Sequence, residues 1–151
     1  MVSLTRRYQF SASHRLHNET LDAEQNARLY GKCNSPYGHG HNYIVEVTVR
    51  GPVDPATGMV MDLVTLDQIV EKEVLERLDH TYLNLDVKDF ETRVPTAENL
   101  CIDIFDLLCA QVERNSGSAH LEKVRLEETS SNFFEYYGQS SNHSQAAREK
   151  K

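Results

Sequence analysis

The sequence predicts an α+β domain: an antiparallel sheet of four strands with two helices on one face. Three observations predict it. A long two-residue alternation runs through positions 39–50, two later stretches carry apolar residues at helical spacing, and alternation returns in two short runs before residue 138. The resulting order, β-β-α-α-β-β, is that of an antiparallel sheet covered on a single side. Such a sheet keeps two open edges and one uncovered face, so assembly with further copies is expected.

The first strand is read from Tyr8, Phe10, Ala12 and His14, which alternate with Arg7, Gln9, Ser11 and Ser13. Residues 15–37 are polar and irregular, with a short helix suggested over Asp22–Leu29. The clearest strand follows, with His39, His41, Tyr43, Val45, Val47 and Val49 on one face against Gly40, Asn42, Ile44, Glu46, Thr48 and Arg50. Gly51-Pro52 and Asp54-Pro55 end it in turns, and Met59–Asp62 reads as a short extension. Thr65 to Gln68 has the spacing of a capping box, and Leu66, Ile69, Val70, Val74 and Leu78 mark an amphipathic helix over about residues 64–78. A second helix starts after Pro95, capped by Thr96, with Glu98 in its first turn and an apolar stripe of Leu100, Ile104, Phe105, Leu108 and Val112. Strands over Leu121–Glu128 and Asn132–Tyr137 complete a domain spanning residues 1–138. Residues 139–151 are polar and aperiodic, and are expected to form a flexible tail.

A chain of 151 residues suits one domain. No apolar run approaches the ~20 residues of a membrane span, and the first residues lack the apolar core of a signal peptide. A cytoplasmic address is therefore expected. The formal net charge of −7 argues against a general nucleic-acid binder, which needs a basic footprint. Cys33, Cys101 and Cys109 are odd in number and lack Cys-x-x-Cys spacing, so a disulfide framework is not expected.

The chemistry concentrates in histidines at strand ends. His39 and His41, two apart in a strand, project from one face, and His14 closes the first strand on the face of Tyr8 and Phe10. Paired strands would bring three imidazoles together, and three nitrogens with a fourth position open is a catalytic zinc arrangement. Cys33 sits in the polar loop Gly31-Lys32-Cys33-Asn34. It could be a fourth ligand closing a structural site, or a thiolate acting as base or nucleophile beside Lys32. Asp79-His80 ends the first long helix; it reads either as a terminating turn or as a carboxylate orienting a proton-shuttling imidazole. Glu127 and Glu128 close the third strand, where acidic residues are ordinarily just solvated.

Taken together, these segments resemble the 6-pyruvoyl-tetrahydropterin synthase family. The resemblance is carried by Phe10-Ser11-Ala12-Ser13-His14-Arg15-Leu16-His17, by Gly31 to Tyr43 with its His39-Gly40-His41 core, and by Asp54 to Met61. Leu78-Asp79-His80, Thr96-Ala97-Glu98-Asn99 and Glu128-Thr129 follow in the family's order, so residues 5–138 are covered. The resemblance implies the tunnelling fold: three four-stranded sheets close into a twelve-stranded barrel, and two trimers stack into a homohexamer with active sites between subunits. It implies zinc (Zn2+) on His14, His39 and His41, and Cys33 as catalytic base. Asp79 and His80 would be its catalytic partners from a neighbouring subunit. Glu128 would anchor the pterin, with Glu98 and Thr96 as further substrate-binding residues. The implied reaction converts 7,8-dihydroneopterin triphosphate to 6-pyruvoyl-tetrahydropterin with elimination of triphosphate, a lyase step in tetrahydrobiopterin biosynthesis.

Ala97 departs from the family, many members of which carry a second threonine there. Arg15, Arg28 and Lys32 are candidates for the triphosphate, fixed by no motif. The nearest rival is 6-carboxy-tetrahydropterin synthase of queuosine biosynthesis, usually with a shorter gap between cysteine and His-x-His than the one here. A relative with glutamate in place of the catalytic cysteine is disfavoured by Cys33. From another class, a non-catalytic zinc-stabilised oligomeric binding module would bond Cys33 directly to the metal.

Overall fold

The computed structural model describes residues 1–139. The expected tail, from residue 140 onward, lies outside the described residues. Strand β1 (Val2–His14) is followed by α1 (Ala23–Tyr30), a tight turn over Gly31–Asn34, and β2 (His39–Gly51). The helix α2 (Leu63–Val70) continues through a π-type turn, Glu71–Leu75, into a last turn α3 (Glu76–Leu78). Next come β3 (Thr81–Tyr82), α4 (Leu83–Asp86), α5 (Ala97–Asn115), β4 (His120–Thr129) and β5 (Asn132–Tyr136).

The sheet order is β3-β1-β2-β4-β5. Five strands stand where the sequence predicts four, and the sheet is not wholly antiparallel, because β3 runs parallel to β1 through Ala12–Thr81 and Ser13–Tyr82. Two residues are too few to leave any alternation in the sequence. They pair because the preceding turn is tied to β1: the Asp79 carboxylate accepts the Ser11 N–H at 2.8 Å, and the His80 N–H donates to the Ser11 carbonyl at 2.6 Å.

The start of the long helix also differs from the expected capping box. Asp62 is the N-cap, and its carboxylate accepts both the Thr65 N–H at 3.0 Å and the Thr65 hydroxyl at 2.7 Å. Thr65 is thus a donor inside the first turn, and the helix begins at Leu63. Thr96 caps α5 as expected, accepting the Asn99 N–H at 3.3 Å. A capping box does occur at α1, between Asp22 and Gln25.

The core lies between one face of the sheet and the helices. Phe10 and Ala12 of β1, Tyr43, Val45, Val47 and Val49 of β2, and Leu121, Val124 and Leu126 of β4 are buried on that face. Leu66, Val70 and Val74 meet it from one helix, and Leu100, Ile104, Leu108 and Val112 from α5. The alternation that placed these strands is the alternation of burial, with polar side chains left on the other face. Among the described residues, no helix is long and apolar enough to cross a membrane.

Candidate active site

Two strands position three imidazoles. β1 and β2 pair along their full length, and the last pair in the register is His14 with His39. His41 lies opposite Ala12, one step diagonal to His14 on the same face. The rings sit edge to face, with centroids 4.6 Å apart for His14 and His39, 5.2 Å for His14 and His41, and 4.9 Å for His39 and His41. Gly38 makes the approach to this pair possible. Its φ is +70°, and a Cβ there would lie 2.7 Å from the His14 carbonyl oxygen.

The His14 side chain is buried, and its Nδ1 lies 2.7 Å from the Pro95 carbonyl. A carbonyl can only accept, so Nδ1 carries the proton and Nε2 of the neutral ring presents a lone pair. That Nε2 is 3.1 Å from Nε2 of His39. Ligand nitrogens on a tetrahedral ion with bonds of ~2.0–2.1 Å stand about 3.3 Å apart. The spacing therefore suits a bound cation. His41 Nε2 and His39 Nδ1 are buried without hydrogen-bond partners, and an ion among the rings supplies what His41 Nε2 lacks. Burial is also the main reason that the pKa values of His14 and His41 lie below the usual 6.5; the Glu128 carboxylate pulls the other way but is outweighed. Neutral imidazoles are the metal-binding form.

Glu128 joins the three histidines. Its Oε1 is 3.7 Å from His14 Nε2 and 3.6 Å from His41 Nε2. Between the pairs Glu127–Phe133 and Thr129–Asn132 the register of β4 and β5 shifts, leaving Glu128 without a partner. This bulge aims the carboxylate at the cluster. Tyr43, wholly buried, has its ring centroid 5.4 Å from that of His41 and its hydroxyl without a partner.

Among the described residues, the side chains that converge to metal-ligating spacing are His14, His39 and His41; Cys33 is not one of them. Cys33 is half-buried in the turn after α1, where its carbonyl accepts the Leu16 N–H at 2.9 Å. Asn34 secures that turn, donating from Nδ2 to the Leu16 carbonyl at 2.7 Å and to His17 Nδ1 at 2.9 Å. Asp79 and His80 form a pair at the sheet edge, 2.9 Å apart, with the His80 side chain 82% exposed. His80 has φ +60°, and the Ser11 N–H, followed by His80, holds the Asp79 carboxyl below its usual pKa. His80 and His41 line one open cleft of about 560 Å3 together with Ser11 and Asn42. Thr96 and Glu98 stand at the start of α5, beside the Pro95 that bonds His14; the Thr96 hydroxyl is engaged in capping and Glu98 is exposed. Arg15 lines a second cleft of about 480 Å3 with His17 and Arg93, whereas Arg28 is paired with Glu24 and Lys32 is exposed.

Sequence reasoning overlooked the Pro95 carbonyl, Tyr43 and Asn132, whose side-chain nitrogen lies 2.9 Å from Glu128 Oε2. Backbone carbonyls carry no sequence signal. Tyr43 reads as core, and Asn132 reads as part of the polar turn between two strands.

Comparison with known proteins fits this geometry. The family profile described as 6-pyruvoyl tetrahydropterin synthase matches residues 3–139. The chain is 46% identical over 138 residues to the 6-pyruvoyl tetrahydrobiopterin synthase of Homo sapiens, covering 91% of this chain and 92% of that one. A relative of the same name from Poecilia reticulata is 46% identical over 136 residues, 90% of each chain. The solved structure of Caenorhabditis elegans 6-pyruvoyl tetrahydropterin synthase superposes with a TM-score of 0.85 at 45% identity, covering 91% of this chain and 96% of that one.

Proposed function

From the premise that the chain belongs to the 6-pyruvoyl tetrahydropterin synthase family, we propose that it converts 7,8-dihydroneopterin triphosphate to 6-pyruvoyl-tetrahydropterin with loss of triphosphate. It is an enzyme, a lyase of tetrahydrobiopterin synthesis, and its proposed setting is the cytoplasm. The observation that carries the reading is the convergence of three imidazoles beside a bulge-borne carboxylate, His14, His39 and His41 with Glu128.

His14, His39 and His41 would hold Zn2+, which when bound supplies Lewis acidity to the substrate's side-chain hydroxyls and the adjacent C–H groups. The Pro95 carbonyl keeps the proton of His14 on Nδ1, so that Nε2 faces the ion. Glu128 is the pterin anchor: its carboxylate accepts from the 2-amino group and the N3–H of the ring, and so fixes which end of the substrate enters. Cys33 takes and returns protons on the substrate side chain as a thiolate. Asp79 orients His80 through the bond to Nδ1, leaving Nε2 to exchange protons with Cys33 or substrate. In this reading His80 serves the site of a neighbouring subunit in a hexamer built from two trimers, a role its exposed side chain at the sheet edge supports. Thr96 and Glu98, at the start of α5 next to the Pro95 that bonds His14, are the further substrate-binding residues of this reading, and Arg15 offers its guanidinium to the triphosphate.

The test is incubation of the zinc-loaded protein with 7,8-dihydroneopterin triphosphate and identification of the products by mass spectrometry. 6-Pyruvoyl-tetrahydropterin with free triphosphate is the expected result. 6-Carboxy-tetrahydropterin with acetaldehyde would transfer the protein to the rival reaction. Full zinc with neither product would leave a binding module and remove the roles of Cys33, Asp79 and His80.

A further inference from the structure

The turn that joins β4 to β5 is wired in one direction. The Ser131 N–H donates to the Thr129 hydroxyl oxygen at 3.2 Å. A backbone N–H has only a proton to give, so the hydroxyl's own proton is free to go to the next oxygen, Oδ1 of Asn132. That bond fixes the orientation of the Asn132 amide, because its oxygen is taken and its nitrogen must face the other way. The nitrogen donates to Glu128 Oε2 at 2.9 Å. With Oε2 held, Oε1 is the oxygen turned toward His14 and His41, at 3.7 and 3.6 Å. The bulge at Glu128 releases the carboxylate from the regular ladder, and Asn132 then decides where it points.

We propose that Asn132 is a positioning residue that sets the ring specificity of the site. By donating to Oε2 it holds the carboxylate in one orientation, with Oε1 turned toward the histidines as an acceptor. A carboxylate so held suits a ring edge that offers two N–H donors, the 2-amino group and N3–H of a pterin. It disfavours a 2,4-dioxo ring of the lumazine type, whose C2 carbonyl would face the carboxylate lone pairs. The inference rests on the reading of Glu128 as the pterin anchor.

The experiment compares the zinc-loaded wild-type protein with Asn132→Ala, Asn132→Asp and Glu128→Ala. Neopterin and the lumazine carrying the same side chain are titrated by fluorescence quenching, and KM and kcat are measured with 7,8-dihydroneopterin triphosphate. Asn132→Ala is expected to raise KM about tenfold with kcat nearly unchanged, and to shrink the preference for neopterin by a similar factor. Asn132→Asp keeps the acceptor for Thr129 and hence the turn, but opposes one carboxylate to another, so the preference should shrink further. It carries the test if the alanine variant does not fold. Preference and KM unchanged in both Asn132 variants, while Glu128→Ala loses the preference, overturn the inference. A preference that survives Glu128→Ala overturns the reading beneath it, and the role of Asn132 falls with it.

Discussion

His14 is prepared for a metal by its neighbours before any ion arrives. Pro95 fixes its tautomer, and burial lowers its pKa, as it does that of His41. The consequence for stability has a definite sign. In the metal-free protein both folded-state pKa values lie below the 6.5 of the exposed group, so at pH values between the two the unfolded chain binds more protons. Stability should therefore fall as pH drops from about 6.5 into the range of the depressed values, and level off below them. Thermal melts of the metal-free protein between pH 7.5 and 5 check this; a melting temperature that rises on acidification would contradict it. Tyr43 gives a second expectation at this scale. Its hydroxyl is fully buried and unpartnered, an arrangement that costs ~1–3 kcal/mol, while its ring stacks on Phe10 with centroids 5.1 Å apart. Tyr43→Phe keeps the ring and removes the orphan. Urea denaturation of the metal-free variant should show a gain of about 1 kcal/mol, and a loss would mean that the hydroxyl has a partner in solution.

Between elements, what the sequence revealed and what it hid follow from the length of the pattern. β1 and β2 each run for thirteen residues, long enough for alternation to place His14, His39 and His41 on one face without knowledge of the register. α5 was legible for the same reason, from its stripe and its Thr96 cap. β3 was hidden because two residues have no period, and the aim of Glu128 was hidden because a bulge is a departure from period. The loop before β2 carries a constraint that sequence suggested only as a glycine. Gly38 holds φ +70°, and a Cβ there would come 2.7 Å from the carbonyl of His14. Left-handed backbone costs a non-glycine residue about 1–2 kcal/mol, and the clash adds to it. Gly38→Ala should therefore lose at least ~2 kcal/mol and weaken zinc binding, since the strand end carrying His14 must move. Zinc titration by competition with a chelator measures this directly, and wild-type affinity in Gly38→Ala would show that the strand end tolerates the shift.

At the scale of the whole molecule, the sheet is unfinished. Ser11 turns its N–H and carbonyl away from β2, toward Asp79 and His80. By the alternation of the ladder, Ser3, Thr5, Arg7 and Gln9 turn theirs to the same edge, where β3 reaches only Ala12 and Ser13. A long open edge of this kind invites a strand from another copy. The uncovered face is lined by an ion-pair ladder, with Glu46 between Arg125 at 3.2 Å and Arg7 at 3.9 Å, which suits a polar interior better than an apolar docking surface. If copies close edge to edge, His80 projects from the same edge as the joint and serves the site next door. That has a consequence that separates shared sites from private ones. Cys33→Ala and His80→Ala should each be inactive when expressed alone, with zinc content intact. Co-expressed in equal amounts, they assemble into mixed rings. A site that draws Cys33 from one subunit and His80 from the next then has both residues native in about a quarter of cases, since each is native with a chance of one half. Activity recovered to about a quarter of wild type establishes the shared site. Activity that stays at the level of the single variants, in rings proved mixed by mass, places both residues in a site within one chain, because no subunit of the mixture carries both.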